Sequence, residues 1–318
     1  MLLQIGRFNK LCVGDVKTKL YRNLTVAEYV KVREYGDDML YKYLLPMTSA
    51  LWSTPTDVTM QFPILALVQF FDNHGFLGLD KQHQWYTVDG GSKEYRDRLV
   101  APFKHNIVTD EPIKNVRRSA GKVYITTTSG AVHEFDKVIF ACHADQALAL
   151  FENPYEQESN LLGKFTYQKN IATLHSDAHV MPKNKKVWSS WNYRIDKVNG
   201  TLQPSCIYYM NLLQQVSDKE HYFVSINDPG TIRKEKIHSV INYEHPVFTL
   251  DSMAAQKKLP GLNETGPVYF CGSYFRYGFH EDAFTSAVDL CKKILGNNHE
   301  KLKKYDAPLL NEKTMALW

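Results

Sequence analysis

The chain has 318 residues, of which 44% are hydrophobic and 23% charged. This balance is typical of soluble globular proteins and excludes a disordered or collagen-like chain, and the length predicts about two domains. Lysine and arginine (38) exceed aspartate and glutamate (34) by only 4, an excess too small to predict nucleic-acid binding. The aromatic content of 13% favours an aromatic-lined cavity or interface.

The five cysteines are odd in number and widely spaced, without a C-x-x-C pair. Neither a disulfide framework nor a zinc site is therefore predicted, and a reducing compartment fits best. The first ten residues carry no long apolar run, and the longest apolar stretch, 62–71, is too short to span a bilayer. We expect a cytoplasmic protein with no resident metal.

The first 80 residues read as mainly helical. Thr25-Val-Ala-Glu28 has the pattern of a capping box, and Thr56 is predicted to start a second helix that runs through 62–71, with Pro63 in its first turns or at a kink. The apolar stretch is typical of a protein core. A hydrophobic substrate tunnel and contact with a membrane surface are the alternatives.

A β-rich pattern begins at residue 84. A strand over 84–88, a turn at Asp89-Gly90-Gly91 and a helix over 92–103 are predicted first. Further strands are predicted at 113–116, 122–128, 131–135, 137–142, 165–174, 187–193, 206–211, 222–227 and 268–272, with helices from Asp145 and over 280–295. The four strands within 165–227 alternate in the manner of an antiparallel sheet.

Several common catalytic motifs are absent from the sequence. No two glycines are separated by one residue, so the G-x-G-x-x-G dinucleotide fingerprint does not occur. The P-loop, H-E-x-x-H and G-x-S-x-G patterns are absent too. These absences exclude the common nucleotide-hydrolase, zinc-protease and α/β-hydrolase classes.

The strongest local pattern lies in residues 267–287. A buried strand ends at Gly272, a short aromatic loop follows, and Gly278 opens a helix. Such a helix start directs backbone N–H groups and a positive dipole end toward an anion or an electron-rich ring. The residues alone favour a plainer interpretation, in which Glu281 and Asp282 only complement the dipole of an ordinary helix.

This pattern resembles the C-terminal flavin-contacting motif of the FAD-dependent amine oxidase superfamily. Residues 84–92 are similar to the internal Gly-Gly motif of that superfamily, and residues 136–148 to its late dinucleotide-domain strand. Seven further segments resemble a branch described as predicted NAD/FAD-binding amine oxidoreductases: 7–10, 43–47, 51–53, 71–75, 190–194, 243–248 and 274–281. The resemblance extends from residue 1 to about 296.

The resemblance implies an α/β (α+β) fold, in which an incomplete FAD/NAD(P)-binding Rossmann-like domain is interleaved with a substrate domain of antiparallel sheet plus helices. The substrate domain would comprise 1–82 and 151–262, the FAD-binding domain 83–150 and 263–296, and a loosely held tail 297–318. The implied activity is hydride transfer from a C–N or C–C bond of an apolar, lipid-like or fatty-acyl substrate to flavin N5.

The resemblance also implies the site residues. The cofactor-binding candidates for FAD are Gly90, Gly91, Ile113, Gly272, Ser273, Gly278, Phe279, His280, Glu281, Asp282 and Ala283. The catalytic candidates on the substrate side are Trp191, Asn192, Tyr193, His245 and Tyr277. As alternatives, Trp191 and Tyr193 are core aromatics of a sheet, and His245 braces the turn before Pro246.

Relatives begin with a β-α-β unit that carries the glycine fingerprint, and this sequence resembles them from a later point. The pyrophosphate cradle is missing from it, so we expect weak or absent FAD binding by this chain alone. Partners would then be a separate Rossmann polypeptide, an apolar small molecule and, peripherally, a membrane. The alternative function is a truncated, catalytically inert remnant or the partner-dependent half of a split flavoprotein.

Overall fold

The structure is a computed structural model that describes residues 1–78, 84–198 and 201–296. The chain divides into two compact units. The first unit comprises residues 1–72, 84–102 and 167–247, and the second comprises the described parts of 73–83, 103–166 and 248–318. The predicted tail, 297–318, lies outside the described residues.

The helices occupy mainly the first third of the chain. They are α1 (Leu2–Asp15), α2 (Lys19–Arg22), α3 (Val26–Val32), α4 (Asp37–Met39), α5 (Leu45–Trp52), α6 (Thr56–Met60), α7 (Ile64–Asn73), α8 (Lys93–Val100), α9 (Ala144–Leu150), α10 (Glu156–Leu162), α11 (Met210–Gln214), α12 (Leu250–Gln256) and α13 (His280–Leu295). A π-helical segment, Leu40–Leu44, joins α4 to α5. Within the described ranges, no helix is long and apolar enough to cross a membrane.

The strands form three sheets. They are β1 (Ile113–Ser119), β2 (Lys122–Thr127), β3 (Val132–Phe135), β4 (Val138–Phe140), β5 (Thr166–His175), β6 (Trp191–Val198), β7 (Thr201–Tyr209), β8 (Phe223–Ile226), β9 (Ile237–Val247) and β10 (Val268–Phe270). One sheet has the order β6-β7-β8-β5-β9, a second is the meander β1-β2-β3, and β4 pairs with β10. The mixture of helices and sheets confirms the predicted α/β class.

Aromatic rings form the helical core of the first unit. Phe8 packs edge-on against Tyr29 and Phe71, with ring centroids 6.1 and 6.4 Å apart. The hydroxyl of Tyr29 donates to the buried carboxylate of Asp15 at 2.6 Å, which also accepts from Arg33 at 2.7 Å. Each buried polar atom in this chain of contacts therefore has a partner, as a low-dielectric core requires.

The capping box at Thr25 is confirmed. Its hydroxyl accepts from the N–H of Glu28 at 3.2 Å, and the Glu28 carboxylate accepts from the N–H of Thr25 at 2.8 Å. The prediction of one continuous helix from Thr56 through 62–71 is wrong, because α6 ends at Met60 and α7 begins at Ile64. Around Pro63, which has no N–H to donate, the backbone pairs instead with residues 24–26: the N–H of Val26 donates to the carbonyl of Phe62 at 2.9 Å.

The apolar stretch 62–71 packs as core. Phe62, Ile64, Leu67 and Phe71 are at most 2% exposed. Trp52 lies against this stretch, with ring centroids 4.5 Å from Phe62. Burial of this kind stabilises the fold by about 1.5–3 kcal/mol per large side chain.

The second unit is built around the parallel pair β4–β10. Its register joins Phe140 to Phe270, whose rings stack at 5.6 Å, and Phe151 packs on both. Arg118 lies over the ring of Phe151 at 4.4 Å and forms an ion pair with Glu158. These contacts join β1 of the meander to α10 and to the aromatic cluster.

Two segments of the first unit differ from the sequence predictions. Residues 84–88 form no strand, although the turn at Gly90-Gly91 and the helix α8 behind it are present. The eleven-residue strand β9 was not predicted, because exposed and half-buried residues along it blur the alternation that marks a strand. The unit boundaries also fall at other residues than the predicted domain boundaries, and the functional domain assignment stays a prediction.

Candidate functional site

The predicted strand, turn and helix at 267–287 are present in the second unit. Strand β10 ends at Phe270, whose N–H and carbonyl both bond to the side-chain amide of Asn263 at 2.8 Å. The N–H of Gly272 then donates to the hydroxyl of Ser286 at 2.9 Å. A Cβ on Gly272 would lie 2.7 Å from the buried ring of Tyr274, so this glycine is needed for close packing inside the unit.

The backbone N–H groups of the turn are bound within the unit. Those of Tyr277 and Phe279 donate to one carboxylate oxygen of Asp282 at 3.2 and 3.0 Å, and that of Gly278 donates to the carbonyl of Ser273 at 3.2 Å. Burial raises the pKa of Asp282 above its ordinary value, and burial together with Asp282 raises the pKa of Tyr277. The carboxylate of Asp282 thus accepts from backbone N–H groups that the sequence analysis expected to face a ligand.

The start of α13 remains accessible. His280 and Glu281 are exposed, and Phe279 and Ala283 are half-buried. The sixteen residues of α13 give this end the positive partial charge of a long helix. The positive end of a helix would stabilise a flavin ring with developing negative charge, and the role of Phe279, His280 and Glu281 in holding such a ring stays a prediction.

The other predicted cofactor residues lie on the surface. Gly90 and Gly91 both have positive φ, at 77° and 84°. A Cβ on Gly90 would meet the Glu94 side chain at 2.9 Å, whereas one on Gly91 would meet nothing within 4 Å. Gly91 therefore has room for close approach of a ligand, and Ile113 on β1 is 37% exposed. The cofactor-binding role of all these residues stays a prediction.

Three of the predicted substrate residues have structural contacts. Asn192 accepts from the N–H of Ser189 at 3.1 Å and donates to the carbonyl of Ser189 at 2.6 Å, so its amide braces the entry to β6. Trp191 is 37% exposed and packs edge-on against Trp85 at 5.6 Å. His245 lies on β9, where its Nδ1 is 2.7 Å from the amide nitrogen of Asn170.

Tyr193 faces a cavity of the first unit. The cavity has a volume of about 210 Å³ and is lined by Ser49, Ser53, Thr54, Pro55, Tyr193, Pro204, Ser205, Cys206, Ile226 and Asn227. It lies where α5 packs on the sheet: the carbonyl of Ser53 accepts from Gln168 on β5, and the Tyr208 hydroxyl on β7 reaches the carbonyl of Ala50 at 3.5 Å. Its size is below the roughly 300–1,000 Å³ of sites for drug-sized ligands, which suits a small molecule or one end of a longer one.

The described lining of the cavity contains polar groups but no charged ones. Among the described residues it holds hydroxyl groups and one amide but no carboxylate, ammonium, guanidinium or imidazole. Burial raises the pKa of Cys206 to about 12 and raises the pKa of Tyr193, so both groups stay protonated and neutral. The hydroxyl of Ser205, a residue only 3% exposed, has no hydrogen-bond partner among the residues that the structure describes. A ligand that offers one neutral hydrogen-bonding group would fit here, whereas a buried ion would find no counter-charge.

Sequence reasoning found Tyr193 but missed most of the lining. Ser49, Ser53 and Thr54 lie at the end of α5 and in the turn behind it, whereas Ser205 lies on β7 and Asn227 directly follows β8. The one local signal is the run Ser53-Thr54-Pro55, which predicts a turn rich in hydroxyls. Three segments far apart in sequence form the cavity, and no single-sequence pattern joins them.

The comparisons with known proteins agree with this architecture. The structure resembles a CLA-producing fatty acid isomerase from P. acnes (TM-score 0.60, 13% identity, covering 96% of this chain and 74% of that one). It also resembles cyclohexylamine oxidase from Brevibacterium oxydans IH-35A (TM-score 0.60, 10% identity, 92% and 74%) and putrescine oxidase bound to putrescine (TM-score 0.61, 12% identity, 92% and 74%). At these identities the likeness establishes the fold alone.

The sequence matches no curated protein. A family model does match: residues 22–185, just over half of the chain, fit the flavin-containing amine oxidoreductases. This match confirms the resemblance drawn from the motifs, including the expectation that FAD is the cofactor. The chain belongs to the family of flavin-containing amine oxidoreductases.

Proposed function

We propose that the protein is a FAD-dependent oxidoreductase that oxidises a C–N or C–C bond of an apolar, uncharged substrate by hydride transfer. Family membership supports the flavin chemistry. The observation that carries the substrate class is the cavity beside Tyr193, because the described part of its lining contains no ionised group. FAD, when bound, supplies the acceptor of the hydride.

The protein's own residues bind and orient the substrate in this proposal. The neutral hydroxyls of Tyr193 and Ser205 hold one polar group of the substrate, while Pro204 and Ile226 contact its apolar part. A protonated amine would lose its hydration here without gaining an ion pair, at a cost of several kcal/mol. Amines would therefore have to enter in their neutral form.

Anaerobic reduction of the flavin tests the proposal. We expect neutral apolar substrates, such as fatty-acyl esters, to bleach the flavin absorbance faster than alkylammonium ions of the same length at neutral pH. Tyr193→Phe should raise KM about fivefold, the effect of one lost hydrogen bond. Tyr209→Phe, on the same sheet but outside the cavity, is the control and should leave KM unchanged. Faster reduction by the ammonium ions would contradict the substrate class.

We also propose that firm FAD binding needs a further β-strand element, supplied by a partner polypeptide. The support is the pair β4–β10, a parallel sheet of two strands with no further strand paired to it in the described residues. Parallel sheets are normally larger and covered on both faces. Ile139, in the middle of β4, is 46% exposed, so an apolar side chain of this sheet is left uncovered.

Substitution of Ile139 tests the partner. In protein isolated from its native host, Ile139→Glu should lower the flavin content and the yield of the complex, because it places a charge where the added element would pack. Phe135→Glu, on a strand outside this pair and equally exposed at 45%, is the matched control. Full flavin content in Ile139→Glu would refute this proposal and leave the first one standing.

A further inference from the structure

A directed chain of hydrogen bonds leads to His245 inside the first unit. The N–H of Ile171 donates to Oδ1 of Asn227 at 2.9 Å. Nδ2 of Asn227 donates to Oδ1 of Asn170 at 2.6 Å, and Nδ2 of Asn170 lies 2.7 Å from Nδ1 of His245. We call this set of three hydrogen bonds the amide relay.

The direction of the amide relay is fixed at its backbone end. A peptide N–H can only donate, so the Asn227 atom facing Ile171 must be the carbonyl oxygen, and the other end of that amide must be the NH₂ group. The NH₂ group of Asn227 in turn requires the oxygen of Asn170 to face it. The NH₂ group of Asn170 is therefore turned to His245, and Nδ1 of His245 must accept.

We infer that Asn227 and Asn170 are positioning residues that hold His245 as a neutral imidazole with its proton on Nε2. An imidazole nitrogen that accepts a hydrogen bond carries a lone pair, so the single ring proton of the neutral form lies on the other nitrogen. That His245 then offers this N–H to a substrate rests on the proposed function. The assignment of the proton itself does not.

Burial makes a reversal of the amide relay costly. Asn170 is 2% exposed, so turning its amide would set two NH₂ groups against each other without water to accept from them. A buried donor left without a partner is strongly unfavourable. The backbone of Asn227 is fixed as well, because its N–H donates to the carbonyl of Ile171 at 2.9 Å. The amide relay therefore has one low-energy direction.

Asn227 connects the amide relay to the cavity. Its side chain lines the cavity, and its backbone has a φ of 56°, a left-handed conformation that asparagine and aspartate tolerate better than other non-glycine residues. Asn227 thus contacts the proposed substrate space. Through its hydrogen bond to Asn170, it also determines which ring nitrogen of His245 carries the proton. Asn227→Asp is consequently the substitution that changes the hydrogen bonding and keeps the backbone conformation at this position.

Nitrogen-15 NMR of the histidine rings tests the inference on the full chain. In the wild type, the signal of the unprotonated nitrogen should belong to Nδ1 of His245, identified by its disappearance in His245→Gln. Asn227→Asp should move that signal to Nε2, because a carboxylate has no hydrogen for Asn170 and the Asn170 amide must turn over. Asn170→Asp should do the same by accepting from Nδ1 directly.

The controls separate this inference from the proposed function. Asn184→Asp, an exposed cap of the same unit, adds an equal charge and should leave the ring signals of His245 unchanged. A wild-type ring with its proton on Nδ1, or an unchanged ring in Asn227→Asp, overturns the inference. Failure of the proposed function would appear as absent flavin reduction by every substrate, which does not affect the NMR result.

Discussion

His175 is the residue whose environment predicts most about the pH response of the protein. It is fully buried, with Nε2 2.8 Å from the hydroxyl of Ser225 and Nδ1 accepting from the N–H of Asp177 at 3.2 Å. Burial lowers the pKa of His175 from 6.5 to about 4. The folded protein therefore holds this ring neutral over a pH range in which the unfolded chain would protonate it.

The stability should consequently fall as the pH falls from about 6.5 to 4, since the unfolded state takes up a proton that the folded state excludes. The loss at the acid end is up to about 3 kcal/mol. In His175→Asn, urea denaturation at pH 7 and pH 4.5 should give a smaller difference in unfolding free energy than in the wild type. His105→Asn, at an exposed position, is the control. An undiminished pH dependence in His175→Asn would contradict the assignment.

Asp177 acts in a different pH range. Its buried carboxylate accepts from the guanidinium of Arg233 at 2.7 and 3.1 Å and from the backbone N–H of the same residue at 2.9 Å. Arg233 holds the pKa of Asp177 far below its ordinary value. The contribution of Asp177 to stability is therefore present above about pH 4 and is lost only at more acid pH, which keeps it separate from the effect of His175.

At the scale of elements, the start of α13 depends on the hydrogen bonds of Asp282 more than on its charge. The carboxylate caps the N–H groups of Tyr277 and Phe279, yet burial raises its pKa, so the ionised form is disfavoured in the fold. A carboxyl group with a raised folded-state pKa costs stability as the pH rises through that value. An amide would keep an accepting oxygen without the buried charge.

We therefore expect Asp282→Ala to lower the free energy of unfolding by about 1 kcal/mol, the usual cost of a lost cap. Asp282→Asn should be as stable as the wild type at pH 7 or more stable. Chemical denaturation of the three proteins side by side measures both effects. Equal destabilisation by the two substitutions would show that the charge, and not the hydrogen bonds, stabilises this helix start.

The elements also show how far the sequence could predict the fold. The cap at Thr25, the hairpin strands β2 and β3 and the helix α13 carry local signals, and all are present. The break before α7 depends on pairing with residues 24–26, and β9 depends on its place beside β5. Pro63 is a local sign of a kink, but contacts that are distant in sequence decide that the helix is broken there and that residues 237–247 form a strand.

The candidate site follows the same rule. The strand, turn and helix of the flavin motif are continuous in sequence and could be predicted, and so could Tyr193 as a candidate. The carboxylate of Asp282 over the turn, the hydroxyls around the cavity and the amide relay behind Asn227 all depend on side-chain geometry. A resemblance between motifs predicts the order of helices and strands, but it does not predict the direction of a side-chain hydrogen bond.

At the scale of the whole molecule, the chain passes repeatedly between its two units. The complete five-stranded sheet nevertheless lies within 166–247, while the helices that cover it come from the first 72 residues. Ala172, Cys206 and Ile226 form a buried cluster of this sheet, and Ala50 of α5 packs against it. The sheet therefore depends on a segment more than a hundred residues upstream for part of its core.

We expect the isolated fragment 167–247 to lack a cooperative unfolding transition and to bind a hydrophobic dye, because the face that α5 covers would be exposed to water. Fragment 1–102 restores α5 and the carbonyls of Ser53 and Ala50, which accept hydrogen bonds from the sheet. Its co-expression with 167–247 should yield a complex that purifies together and unfolds cooperatively. A second co-expression, with 1–40, supplies upstream chain without α5 and should not rescue the sheet. Cooperative unfolding of 167–247 alone would show instead that strand pairing is sufficient for its stability. The sheet would then fold without α5, and the cavity would form when α5 packs onto the folded sheet.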